Sequence, residues 1–212
     1  VPAEVGQSSP ADTTASETGG NELYVPLIQS FLAEDAGSQG MLCDLDGDAD
    51  DELLIYYLRD LSEDAAYVLP IVLCDVYDIR DGRVEPVFEK IEIFCQVAGN
   101  HGEAGLARLD GKPYLYTRFS SGSGGIGVPS IDETILYDCR EGCTASSYTY
   151  RYTLEIVGNA EQKSGESYEL NGSPCSEAEY AQAFAQIAFV DWIGSFIQGR
   201  TLDEVLKTIV GA

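Results

Sequence analysis

Six carboxylates fall within nine positions, at Asp44, Asp46, Asp48, Asp50, Asp51 and Glu52, in the string "CDLDGDADDELLIYYL". Counting Asp44 as position one, Asp46 is three, Asp48 five, Asp50 seven and Glu52 nine. Alternate side chains of a tight loop can turn inward together, and the backbone carbonyl at position seven can join them. Calcium takes about six to eight oxygen ligands at loose geometry, so this supply suits it. Without a cation the same carboxylates repel one another at short range, and an empty loop is costly.

The loop is not an EF-hand, because position twelve is Ile55 and an apolar strand replaces the exiting helix. It resembles the D-x-D-x-D-G-x-x-[DE] calcium loop of FG-GAP-type modules. The fuller string "DLDGDxxxELLI" is similar to a segment of uncharacterised exported lipoproteins of Gram-positive bacteria. The resemblance spans roughly a dozen to twenty residues. It implies side-chain ligands at Asp44, Asp46, Asp48 and Glu52, a carbonyl ligand at Asp50, and a calcium ion that fixes the entry of the strand. The family's glycine at position six is Ala49 here. If that residue needs a positive φ, alanine is penalised there.

Other chemistry-bearing residues carry less. "GSGGIG", Gly122 to Gly127, matches G-x-G-x-x-G, but Pro129 and the strand-like "ETILYDC" follow it where a dinucleotide site needs a helix. It reads as a loop. His101 is the only histidine, and no nucleophile-elbow or papain-like context surrounds any serine or cysteine. A zinc site from His101, Cys139, Cys143 and Cys175 is supported only by the C-x₃-C spacing. Cys139 and Cys143 flank a turn at Gly142 and suit a disulfide in an oxidising compartment. Cys43, Cys74 and Cys95 sit on apolar strand faces and read as core thiols. The thirteen tyrosines suit a carbohydrate platform less well than a filled sheet–helix interface.

The elements that must position the acidic loop follow from periodicity. Leu23, Tyr24, Leu27, Ile28, Phe31 and Leu32 share a helical face, with Pro26 in the first turn, so a helix starts near Val25. From Met41 to about Ile156 the texture is period two with turn punctuation, Asp81-Gly82 and Asp110-Gly111 being hairpin signals. Tyr148, Tyr150, Tyr152, Leu154 and Ile156 share a strand face opposite Thr149, Arg151, Thr153 and Glu155. Ser176 with Glu179 caps a helix predicted over "EAEYAQAFAQIAFVDWIGSF", and Thr201 with Glu204 caps one over "LDEVLKTIV". The predicted fold is α+β: an antiparallel β-meander sheet packed by one N-terminal and two C-terminal helices.

The chain of 212 residues is long enough for one sizeable core. Residues 1–20 are Ser, Thr, Ala, Gly and Pro-rich and read as a flexible tether, leaving a single domain over 21–212. The start at Val1 and the lone methionine, Met41, read as a processed or truncated product. Thirty-six acidic residues against twelve basic ones give a net charge of −24, which repels phosphate backbones and anionic lipid. Nucleic acid is excluded as a partner, and no apolar run reaches the roughly 20 residues of a membrane span.

The expectation is an exported, cell-envelope or extracellular protein, lipid-anchored upstream of residue 1. It acts as a non-catalytic monomeric binding module with a structural calcium loop and an unidentified cell-surface or extracellular ligand. The competing expectation is a secreted hydrolase with a carboxylate-lined cleft near the glycine-rich loop.

Overall fold

The computed structural model describes residues 20–58, 71–95, 100–122, 126–192 and 200–211. All of the expected tether except Gly20 lies outside the described residues, and so does the Cys95 side chain. A 3₁₀ turn at Asn21–Tyr24 leads into α1 (Val25–Glu34), with Pro26 in the first turn, where a helix has no N–H bond to lose.

Four strands follow: β1 (Gln39–Cys43), β2 (Glu52–Leu58), β3 (Ile71–Arg80) and β4 (Arg83–Cys95). They form one antiparallel sheet, and a later two-residue strand, Arg200–Thr201, adds to its β1 edge. A second antiparallel sheet starts with β5 (Asn100–Leu109), β6 (Lys112–Ser121) and β7 (Pro129–Asp138). It continues through β8 (Cys143–Val157), β9 (Ala160–Leu170) and β10 (Ser173–Cys175). The hairpins turn where the sequence signals them. Asp81-Gly82 and Asp110-Gly111 both hold positive φ at both residues, as a two-residue I′ turn requires, and Asn171-Gly172 does the same between β9 and β10.

The described residues are thus mostly antiparallel strand with three short helices, a β-rich α+β fold. The arrangement departs from the single meander packed by helices. Two sheets face each other, with Leu54, Tyr56, Cys74 and Val76 of the first against Ala104, Leu115 and Cys139 of the second. The other face of the first sheet, Leu53, Ile55 and Tyr77, is covered by α1 and by α3 (Leu202–Val210). Coverage on both faces explains the unbroken apolar run of β2, whose residues Glu52 to Tyr56 are all buried.

The last expected departure concerns the helix over "EAEYAQAFAQIAFVDWIGSF". Its capping box forms at Ser176 and Glu179, but α2 spans only Glu177–Phe184. Ala188–Trp192 becomes β11 instead and pairs with the free edge of β5. Phe189 packs edge-on against Tyr116 at 4.8 Å, a contact that a continued helix cannot make. Helix α2 lies on the outer face of the second sheet, over Tyr114, Tyr116, Leu136 and Tyr148. Tyrosines therefore fill a sheet–helix interface, with Tyr150, Tyr152 and Tyr168 half-buried in a stacked row beside it. Thr149, expected on an open face, is buried.

Candidate metal centre

The acidic loop connects β1 to β2, whose register pairs Cys43 with Glu52 and so brings both ends of the loop together. Leu45 plugs the loop into the core between the sheets and is fully buried. At the exit, the Tyr24 hydroxyl donates to the carbonyls of Asp51 at 3.0 Å and Tyr77 at 3.2 Å. Between these anchors the backbone winds around its own carboxylates. Gly47 N–H donates to Asp44 at 2.6 Å, Asp48 N–H to Asp46 at 3.0 Å, and Asp50 N–H to Asp48 at 2.9 Å. Gly47 and Ala49 both sit at positive φ, +83° and +78°. Position six does require the left-handed region, and alanine occupies it at a cost.

Asp44, Asp46 and Asp48 converge, with one oxygen of each within 4.8 Å of the others. Asp50 is exposed and outside this trio. Glu52 is also outside it, at 1% exposure. One Glu52 oxygen, Oε2, accepts a hydrogen bond from the Leu45 N–H, and the other, Oε1, is buried without a hydrogen-bond partner among the described residues. Burial pushes the Glu52 carboxyl up to about 8, against the opposing Leu45 hydrogen bond and with added repulsion from Asp46, Asp78 and Asp48. Partial burial and the Asp48 charge also raise Asp46. The three converging aspartates are a donor set of all-oxygen chemistry, the kind a hard divalent cation takes.

Two basic residues absent from the sequence reading complete the surroundings. Arg140, in the turn between β7 and β8, donates from Nη2 to the Asp46 carbonyl and places Nε 3.7 Å from Asp46 Oδ2. Arg80 of β3 bonds Asp78 at 2.8 Å and donates to the carbonyls of Cys139 at 2.9 Å and Arg140 at 3.0 Å, tying that turn to the first sheet. Arg140 lies 94 residues from Asp46, so no local signal marks the pair. A cleft of about 460 Å³ opens beside the loop, between Asp44 and Asp46 on one wall and the β5–β6 and β7–β8 turns on the other.

The remaining candidates separate. Cys139 is buried in the core between the sheets, Cys143 is exposed, and both thiols are unpaired, because the hairpin turns their side chains to different environments. Among the described residues, the Asp44–Asp46–Asp48 trio is the one group of potential metal ligands close enough to act together, and His101, Cys139, Cys143 and Cys175 do not converge. His101 is exposed, with Glu103 at 3.9 Å. In the glycine-rich stretch, residues 123–125 lie outside the described residues. No described helix is long and apolar enough to cross a membrane. Compared with family models, curated proteins and solved structures, the chain matches none.

Proposed function

We propose that the protein is an exported, cell-surface-tethered binding module, non-catalytic and monomeric, whose β1–β2 loop takes a structural calcium ion. The observation that carries this reading is the convergence of Asp44, Asp46 and Asp48 in one loop, whose last residue, Glu52, is buried and half-satisfied. A divalent cation there neutralises repulsion that the fold otherwise holds in place through Leu45 and Tyr24, and it stiffens the entry to β2, which is buried from Glu52 to Tyr56. The acidity of the chain and the composition of residues 1–20 support an exported, tethered placement. The experiment is a melting series in chelator, magnesium and millimolar calcium, on wild type and Asp46→Ala. Calcium at a hundredfold excess over its dissociation constant adds about 2.7 kcal/mol to a folded state that alone binds it. Magnesium has a smaller effect, and the variant loses the calcium response. A wild type indifferent to calcium ends this reading.

A second reading has its own observation. A groove of about 560 Å³ between β4 and the face of β6 and β7 is lined by Glu89, Glu92 and Glu133. Carboxylates lining such a groove are groups a secreted hydrolase uses to give and take protons. Turnover of chromogenic glycosides that disappears in Glu133→Gln supports this reading, and no turnover across a broad panel removes it.

A further inference from the structure

We infer that the cleft beside the acidic loop is the ligand site, and that it takes an oxyanion, the carboxylate of an acidic sugar or a phosphate ester, only when the loop holds calcium. This rests on the calcium reading above. It names the chemistry of the ligand, which that reading leaves open.

The charge distribution carries the inference. The chain has twelve basic residues against thirty-six acidic ones, so a cation cluster is rare on its surface. Three of the twelve, Arg108, Lys112 and Arg140, nevertheless line this one cleft. They arrive from the β5–β6 and β7–β8 connections, which are separate in sequence and meet only in the folded sheet. Arg108 is held by a hydrogen bond to the Gly111 carbonyl at 3.2 Å, which fixes it over the turn that carries Lys112. Lys112 is exposed and has no ion pair among the described residues. A cleft of this volume accepts a group the size of a monosaccharide.

The loop supplies the dependence on calcium. Four carboxylates share the cleft with the three cations: Asp44 and Asp46 from the loop, Asp138 and Glu141 from the β7–β8 turn. Without metal the balance is negative and an anion is repelled. Two added positive charges, shared among Asp44, Asp46 and Asp48, cancel that excess and remove the net repulsion. The same ion competes with the Arg140 guanidinium for the Asp46 carboxylate, while the Nη2 bond to the Asp46 carbonyl keeps Arg140 on the cleft wall. Asp44 and Asp46 lie on the cleft wall, so an ion held there is reachable from it. The second indication that the acidic cluster is a site is Glu52 Oε1, buried at the end of the same loop and without a hydrogen-bond partner among the described residues. By linkage, an anion that needs the metal must tighten the metal by the same factor.

The test is calorimetry on the full chain in two stages. Calcium alone is titrated first, which decides the calcium reading by itself. Galacturonate and glycerol 3-phosphate are then titrated in calcium and in chelator, with galactose and glycerol as uncharged controls. The expected result is binding of at least one anion in calcium, none in chelator and none of the controls. Which anion binds tells the carboxylate source from the phosphate source. Replacing Arg108 and Lys112 by glutamine, at exposed positions outside the calcium loop, weakens the anion about ten- to a hundredfold, as expected for lost charge-assisted hydrogen bonds. The calcium affinity measured without anion does not fall in that variant, since two positive charges beside the loop are gone. Calcium binding with no anion binding overturns this inference and leaves the calcium reading standing. Equal anion binding in chelator overturns the dependence on calcium. Absence of calcium binding removes both readings.

Discussion

The carboxylate of Glu52 reaches back across the acidic loop to accept a hydrogen bond from the backbone N–H of Leu45, seven residues earlier. The bond closes the loop from within, since Leu45 is anchored in the core between the sheets and Glu52 is the first residue of β2. Burial sets the protonation chemistry here, holding the carboxyl up against the lowering effect of the Leu45 hydrogen bond.

The folded protein holds the Glu52 proton up to about 8, whereas an exposed glutamate releases it near 4.5. Between those values the folded state binds more protons than the unfolded chain, so stability falls as pH rises and is lowest above the folded value. The expected loss across this window is on the order of 3 kcal/mol, at about 1.4 kcal/mol per pKa unit with allowance for relaxation. Glu52→Gln keeps the shape and an acceptor for Leu45, and its melting temperature in chelator is expected to lose most of that slope. An unchanged slope in the variant assigns the pH dependence to other carboxylates.

Ala49 at φ +78° occupies a conformation that L-residues adopt at a cost of roughly 1–2 kcal/mol. Ala49→Gly is expected to raise stability by about 1 kcal/mol after the added entropy of glycine in the unfolded chain. Chemical denaturation in chelator measures this, and in calcium the same change tightens the ion because the loop no longer opposes its own wound conformation. A variant less stable than wild type contradicts the strained geometry at this position.

Gly40 sits in β1 where α3 docks. A Cβ there meets the Leu54 carbonyl oxygen at 2.7 Å and Leu202 Cδ2 at 2.6 Å. The leucine tip can turn aside, but the carbonyl belongs to the neighbouring strand and cannot. Gly40→Ala is expected to cost about 1–3 kcal/mol through overpacking, with the melting temperature as the readout. A neutral effect indicates that α3 stands further from β1.

Thiol labelling separates cysteines only four positions apart. Cys143 is exposed and reacts promptly with a disulfide reagent, whereas Cys139 and Cys74 are buried, with burial raising both thiols, and react only on unfolding. Prompt loss of both Cys139 and Cys143 to a mapped disulfide would falsify the placement of Cys139 in the core.

The local features of the fold were legible in the sequence because their causes are local. Asp81-Gly82 and Asp110-Gly111 adopt left-handed turns, since few other residue pairs can. Ser176 with Glu179 and Thr201 with Glu204 cap helices through hydrogen bonds spanning three residues. The alternation of Asp44, Asp46 and Asp48 places three carboxylates together within one loop. Tertiary structure decided the rest, because the competing interactions lie far apart along the chain. Residues 188–192 had helical neighbours but joined β5 because that strand offered an unpaired edge and Tyr116 offered a ring. The strands divided into two sheets so that β2, apolar on both faces, was buried on both faces. Glu52 reads as one more ligand by spacing, yet it starts that doubly buried strand, which sets it outside the trio and holds its proton. Arg140 meets Asp46 only because the β7–β8 turn of one sheet closes over the β1–β2 loop of the other, a contact that no local pattern encodes.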